Sequence, residues 1–225
     1  MRHISIAIDG PAGAGKSTVA RRVAKELGIL YVDTGAMYRG VAWLAVQHHV
    51  SPEDERALLQ LLRDHSLRFE YHPSGELEVI ADGQVITPYL RDPEVSETVS
   101  KLSVHPAIRN LLTEWQREFA QRYPVVMDGR DVGTVVLPDA QVKVFLTASI
   151  EERAKRRQRE FTDKGFDVSL QEMQQAIAER DARDASRSVA PLRPADDAYF
   201  IDSTGKSVED IVEEILSLVE RVPNE

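Results

Sequence analysis

At 225 residues the chain exceeds the ~150 that usually make one domain yet stays below the size at which a hydrophobic core must split, which favours one substantial domain with inserts. Apolar residues at 42% and charged residues at 29% exclude a disordered, collagenous or fibrous chain, and the lack of cysteine excludes disulfide frameworks, thiol catalysis and thiolate metal sites together. A net charge of −9, from 28 basic against 37 acidic residues, argues against nucleic acid as a partner, and no apolar run approaches the ~20 residues that cross a bilayer. The first residues hold one arginine and a five-residue strand-like run ending at Asp9, without the apolar stretch of a secretory signal, so a cytoplasmic location is expected.

Short β-branched or aromatic runs at Ile4 to Ile8, Ile29 to Val32, Val125 to Met127, Val142 to Leu146 and Tyr199 to Ile201 alternate with amphipathic stretches. That alternation predicts an α/β fold with a five-stranded parallel sheet flanked by helices. The first helix carries Val19, Val23 and Leu27 at a spacing of four and ends at Gly28. Ser51-Pro52 before Glu53-Asp54-Glu55 predicts another helix start. Leu67 to Tyr71, Leu77 to Ile80 and Gln84 to Ile86 surround Pro73-Ser74-Gly75 and Asp82-Gly83, which predicts a small inserted antiparallel subdomain at about 66–92. Pro93 to Val104 and Ile108 to Tyr123 read as helices separated by His105-Pro106.

After the first strand comes Gly10-Pro11-Ala12-Gly13-Ala14-Gly15-Lys16-Ser17-Thr18, a complete GxxxxGKS phosphate loop in strand-loop-helix context. Glycine lets backbone N–H groups converge on a phosphate without Cβ interference, and the following helix directs its positive end to the same point. Lys16 is expected on the β and γ phosphates of a nucleoside triphosphate, and the Ser17 hydroxyl on Mg²⁺.

Open parallel sheets bind ligands at the carboxyl ends of their strands. Arg39, beyond a polar turn that starts at Asp33, and Arg130, beyond the third strand, are candidates there for a second anion. Each also has a plainer reading, Arg39 as a surface ion-pair partner and Arg130 as a salt bridge to Asp128 or Asp131. Asp128 occupies either the position of a carboxylate that organises Mg²⁺ through water or that of a helix cap, and Asp33 shares the ambiguity. In the run from Glu151 to Glu160, five cations fall within residues 153–159, followed by Gly165. The run suits a solvated helix face or a mobile flap in which Arg157 neutralises charge on a transferred group. Arg180, Arg183, Asp184 and Arg187 fall on one helical stripe. All six histidines, His3, His48, His49, His65, His72 and His105, read as structural or solvated.

The segments IDGPAGAGKST, DTGAMYR, DPEVSETVSKLSVHPAIR, DGRDVGTVVLPDA, ERAKRRQRE, ERDARDASRSVAPL and FIDST resemble those of the bacterial cytidylate kinases, within the nucleoside monophosphate kinase family, from residue 4 to about 205. The resemblance implies a three-layer α/β/α phosphate-loop fold with a short helical lid at about 153–168 and a monophosphate-binding region at 34–123, all in one domain over 1–225. It implies transfer of the ATP γ-phosphoryl group to CMP or dCMP, with ATP and Mg²⁺ required, by a monomer that binds neither nucleic acid nor membrane. Residues 10–18 and Arg157 would bind ATP, and Ser17 with Asp128 would serve the metal, Asp128 through water. Arg39 and Arg130 would hold the acceptor phosphate, and Thr34, in a turn where the family also has serine, would bind CMP. Ser100, Arg109 and Asp131 would read the base, Arg180 and Asp184 would lie near the sugar, and Arg187 would lie by base or phosphate. Lys16, Arg130, Arg157 and Arg187 would act on the reacting groups. A phosphate-loop kinase for another acceptor such as UMP or AMP is the alternative.

Overall fold

A computed structural model describes residues 3–71, 77–163 and 165–223. The strands are β1 (Ser5–Asp9), β2 (Leu30–Asp33), β3 (Leu67–Tyr71), β4 (Leu77–Ala81), β5 (Gln84–Val85), β6 (Val125–Gly129), β7 (Val142–Thr147) and β8 (Tyr199–Asp202). The helices are α1 (Lys16–Leu27), α2 (Thr34–Gln47), α3 (Glu55–Asp64), α4 (Pro93–Leu102), α5 (Pro106–Arg122), α6 (Ile150–Thr162), α7 (Leu170–Ala185) and α8 (Val208–Glu220). The main sheet is parallel with strand order β2-β6-β1-β7-β8, and β3-β4-β5 form a separate antiparallel sheet. The α/β class, the five-stranded parallel sheet and the inserted antiparallel strands follow the sequence reading.

Two compact units make up the chain, one holding the residues up to Ile29 and from Pro124 onward, the other Leu30–Tyr123. In the first unit, β1 lies between β6 and β7, with Asp9 level with Gly129 and Phe145. Ile6, Ala7, Ile8, Val125, Val126 and Met127 are all fully buried, so these strands read as continuous apolar runs instead of alternating ones. This arrangement brings the loops after β1, β6 and β7 to one edge of the sheet. A satellite core of Ala154, Met173 and Ile177, flanked by Phe161, Val168 and Leu170, joins α6 to α7. Gly165, between them, sits at φ +83°, where a side chain would be strained.

In the second unit the antiparallel register pairs Leu67 with Ala81 and Tyr71 with Leu77. The turn expected at Pro73-Ser74-Gly75 lies outside the described residues, as does Lys164. Several boundaries differ from expectation. The third helix begins at Glu55, because the Asp54 side chain accepts the Ala57 N–H and outcompetes Ser51-Pro52 as the start. Pro106 is the first residue of α5, where its missing N–H is harmless, so His105-Pro106 both separates and initiates. No turn follows β2: α2 starts at Thr34, with Asp33 as the cap accepting the Ala36 N–H at 2.9 Å.

Candidate nucleotide site

The phosphate loop leaves β1 at Asp9. Gly10 has φ +149°, and a Cβ there would lie 1.9 Å from the Leu146 carbonyl oxygen of β7, so only glycine lets the loop pass this close. Gly15, left-handed at φ 92°, opens α1 without a side-chain cap, which leaves the first-turn N–H groups of the helix to an external acceptor. Lys16 is buried, 6% exposed, and donates from Nζ to the Pro11 carbonyl at 2.7 Å. Burial, then the neighbouring Arg130 charge, holds this ammonium well below the usual lysine range against the opposing pull of Asp128 and Asp9. A polyanion is the partner that would favour its charged form.

Ser17 Oγ donates to Asp128 Oδ2 at 2.9 Å. Asp128 is the fourth residue of β6 and caps no helix, which removes the capping reading. The hydroxyl and the carboxylate form an oxygen pair at the helix start, the hard donor set that Mg²⁺ prefers. Asp9, not singled out by sequence reasoning, accepts the N–H groups of Val132 and Gly133 at 2.8 and 2.7 Å. Burial outweighs those two bonds and pushes its carboxyl up to about 6. Asp9 thereby fixes the segment Val132–Val136, a wide helical turn, to the end of β1.

The back of the loop is braced by side chains that the sequence reading passed over. Arg153 Nη1 donates to the Ala12 carbonyl at 3.0 Å and to Asp181 Oδ2 at 2.5 Å, while its Nε donates to the Ala148 carbonyl at 3.0 Å. Asp181 Oδ1 accepts the Ala12 N–H at 3.3 Å. Arg156 Nη1 reaches the Ala14 carbonyl at 3.3 Å and Ser203 Oγ at 2.9 Å, and Ser203 Oγ donates to the same Ala14 carbonyl at 3.1 Å. The cation run therefore divides by helical face. Arg153 and Arg156 turn to the loop, while Lys155 pairs with Glu151 and Arg157 with Glu160 on the outside. The spacing of three between residues 153 and 156, with Ala154 buried beside them, was the available signal.

A second cation cluster lies in the same unit. Arg130 Nε donates to Asp184 Oδ2 at 2.8 Å, and Arg187 Nη2 pairs with Asp184 Oδ1. Asp184 is 3% exposed; burial raises its pKa, but Arg130, Arg187 and Arg180 overcome burial and hold the carboxyl below the usual range. The partner of Arg130 is thus Asp184, 54 residues away, in place of the local Asp128 or Asp131. Arg183 is exposed and α7 ends at Ala185, so the expected stripe reduces to Arg180 and Asp184 on the helix and Arg187 beyond it. Asp131 is buried, and its carbonyl accepts the Val135 and Val136 N–H groups.

In the second unit, Arg39 on α2 lies 3.7 Å from Asp33 Oδ1, and Thr34 is buried at the helix start. Arg109 on α5 is buried, donates to the Ser103 carbonyl at 3.0 Å and places its guanidinium 5.5 Å from the Tyr38 ring centre. Ser100 Oγ donates to the Ser96 carbonyl of its own helix at 3.5 Å.

A family model described as cytidylate kinase matches residues 6–221. The chain is 46% identical over 221 residues to a cytidylate kinase of Bacillus cereus (strain ATCC 10987 / NRS 248), covering 98% of both chains. To a cytidylate kinase of Geobacillus kaustophilus (strain HTA426) it is 49% identical over 218 residues, covering 97% of both. The chain belongs to the cytidylate kinase family.

It is therefore a kinase, and nucleotide is its substrate class. A solved structure of an uncharacterized protein from Eubacterium ventriosum, at TM-score 0.55 and 15% identity over 97% of this chain and 99% of that one, shares the fold alone. For this cytidylate kinase family member, the structure gathers Lys16, Ser17 and Asp128 at the phosphate loop and Arg130, Asp184 and Arg187 into one ion-pair cluster. Arg157 stands apart on the outer face of α6, over the Phe161 ring and paired with Glu160 at 2.5 Å.

Proposed function

We propose that the protein transfers the γ-phosphoryl group of ATP to CMP and dCMP. An oxygen of the acceptor phosphate forms a bond to the γ-phosphorus as the bond to the β–γ bridging oxygen breaks, giving the nucleoside diphosphate and ADP. With a second pKa of about 6, the acceptor phosphate already offers an anionic oxygen at neutral pH, so no general base is required. The acceptor assignment is carried by the full-length likeness to cytidylate kinases, and the phosphoryl-transfer assignment by the Ser17–Asp128 pair beside Lys16.

Residues 10–18 cradle the ATP phosphates, and Lys16 supplies positive charge to the β and γ groups. Ser17, directly, and Asp128, through water, fit Mg²⁺, which when bound would neutralise developing charge on the transferred group. In the first unit, Arg130, Arg180, Asp184 and Arg187 serve the acceptor's phosphate and sugar, with Asp131 for its base. In the second, Arg39 serves the phosphate, Ser100 and Arg109 the base, and Thr34 contributes to CMP binding. Cytosine presents an amino donor where uracil presents an acceptor, so a carboxylate beside an arginine favours cytosine. Within the segment at about 153–168, the part beyond the Arg153 and Arg156 braces closes as a lid over ATP and excludes water, bringing Arg157 into use.

A coupled ADP-release assay across CMP, dCMP, UMP and AMP tests the reading. CMP and dCMP are expected to exceed UMP by about a hundredfold or more in kcat/KM, because a site built for one hydrogen-bond pattern leaves groups unpaired with the other. Equal efficiency for CMP and UMP, or preference for AMP, overturns the acceptor assignment while leaving the kinase assignment in place.

A further inference from the structure

The second unit contains a group of side chains that neither the phosphate loop nor the proposed acceptor residues use. His48 closes α2, its backbone N–H donating to the Leu44 carbonyl, and the N–H of His49 beyond it donates to Val46. His65 closes α3 through the Leu61 carbonyl. Asp82 occupies the corner between β4 and β5 in the left-handed region at φ 48°, and is tied to residue 66 twice: its N–H donates to the Ser66 carbonyl, and its Oδ1 accepts the Ser66 N–H at 2.8 Å. Three separate elements thus end at one point. His65 Nδ1 lies 2.7 Å from Asp82 Oδ2, and the His48 and His65 rings are 3.8 Å apart centre to centre. One donor atom from each of the three residues falls within 4.8 Å of the other two, and among the described residues no other His, Cys, Asp or Glu trio does so.

We propose that His48, His65 and Asp82 bind a transition-metal dication of the Zn²⁺, Co²⁺ or Ni²⁺ class. Two imidazoles with one carboxylate are the donor set these borderline ions select, whereas Mg²⁺ and Ca²⁺ require oxygen. Tetrahedral bonds of about 2.0–2.1 Å place donor atoms about 3.3–3.5 Å apart. The His65–Asp82 contact therefore opens by roughly 0.6 Å, and His48, which is exposed, closes by side-chain rotation. The exposed side of the trio leaves the fourth position to water. Such an ion would cross-link the carboxyl ends of α2 and α3 to the β4–β5 corner and would stabilise the second unit by mass action. The site is distinct from the Ser17–Asp128 pair in both donor chemistry and position in the chain.

The test uses tag-free full-length protein without nucleotide, titrated with Co²⁺ by visible absorption and with Zn²⁺ by calorimetry. One site is expected. His48→Gln and His65→Gln each lower its affinity about tenfold or more, since losing even an orienting partner costs 10–100-fold. His49→Gln and Asp128→Asn leave it unchanged, and Zn²⁺ raises the thermal midpoint of the parent but not of His65→Gln. Because His48 is exposed, its variant keeps the test valid should His65→Gln fold poorly by circular dichroism. Failure to bind Zn²⁺ or Co²⁺, retention of parental affinity in His48→Gln, or loss of binding in Asp128→Asn overturns the proposal.

Discussion

Replacing Arg153 with methionine keeps most of the apolar stem and removes the guanidinium. In the parent that group donates to the Ala148 and Ala12 carbonyls and pairs with Asp181, with 9% of the arginine side chain and 21% of the aspartate exposed. Breaking a buried pair costs about 3–5 kcal/mol, and the partial exposure of Asp181 lets water recover some of that, so about 3 kcal/mol is expected. For a chain of this size about 2–4 °C accompanies each kcal/mol, which gives a fall in Tm of roughly 6–12 °C.

Chemical denaturation of the parent, Arg153→Met, Asp181→Asn and the double variant closes a cycle whose coupling is expected at about 2 kcal/mol. Steady-state kinetics should show a higher KM for ATP with KM for CMP little altered, since the brace touches the donor loop. A Tm within 2 °C of the parent, or coupling below about 0.5 kcal/mol, would refute the reasoning that this arginine holds the loop from behind.

Three further expectations follow from single positions. Gly10→Ala drives a Cβ into the Leu146 carbonyl at 1.9 Å and is expected to cost more than about 4 kcal/mol, whereas Gly28→Ala meets nothing within 4 Å and should cost only the 1–2 kcal/mol of a left-handed alanine, both read by urea midpoints. Asp9 is raised from 3.8 to about 6, so it favours the folded state below its unfolded value and loses that contribution as pH rises through about 6. The loss is of the order of 3 kcal/mol. Stability from pH 4 to 8 should therefore decline less in Asp9→Asn than in the parent, and an identical slope rejects the assignment. Asp184→Asn removes the charge that orders Arg130 and Arg187, and should raise KM for CMP about tenfold or more with KM for ATP unchanged, measured by the coupled assay.

What the sequence disclosed was local. The phosphate loop, the Gly28 cap and the Asp82-Gly83 corner are fixed by neighbours a few residues away, and the buried strands by their own apolar runs. What it concealed was distant pairing. Ser203 meets Ala14 across 189 positions, Asp9 meets Gly133 across 124, and Arg130 meets Asp184 across 54. Arg130 has two acids close by in sequence, yet Asp128 is engaged by Ser17, and the fold supplies the buried carboxylate of Asp184 from α7. The arginine run was ambiguous for a related reason. Periodicity shows that residues 153 and 156 share a face, but which face turns inward is set by the packing of Ala154 against Met173 and Ile177.

These distant pairings share a physical cause. A loop whose backbone N–H groups converge on an anion turns carbonyl oxygens the other way, and buried carbonyls need donors. Lys16 serves Pro11, Arg153 serves Ala12, and Arg156 with Ser203 serves Ala14. Neutral donors would satisfy the same oxygens. Three of these four donors are basic side chains, and the two arginines bring their own acids, Asp181 and Glu152, so they fix the loop without leaving an unpaired charge behind it. The basic run of α6 therefore divides by what it holds and not by charge balance: Arg153 and Arg156, paired with Asp181 and Glu152, carry the loop carbonyls, while Lys155 and Arg157 pair with Glu151 and Glu160 and touch no part of the loop.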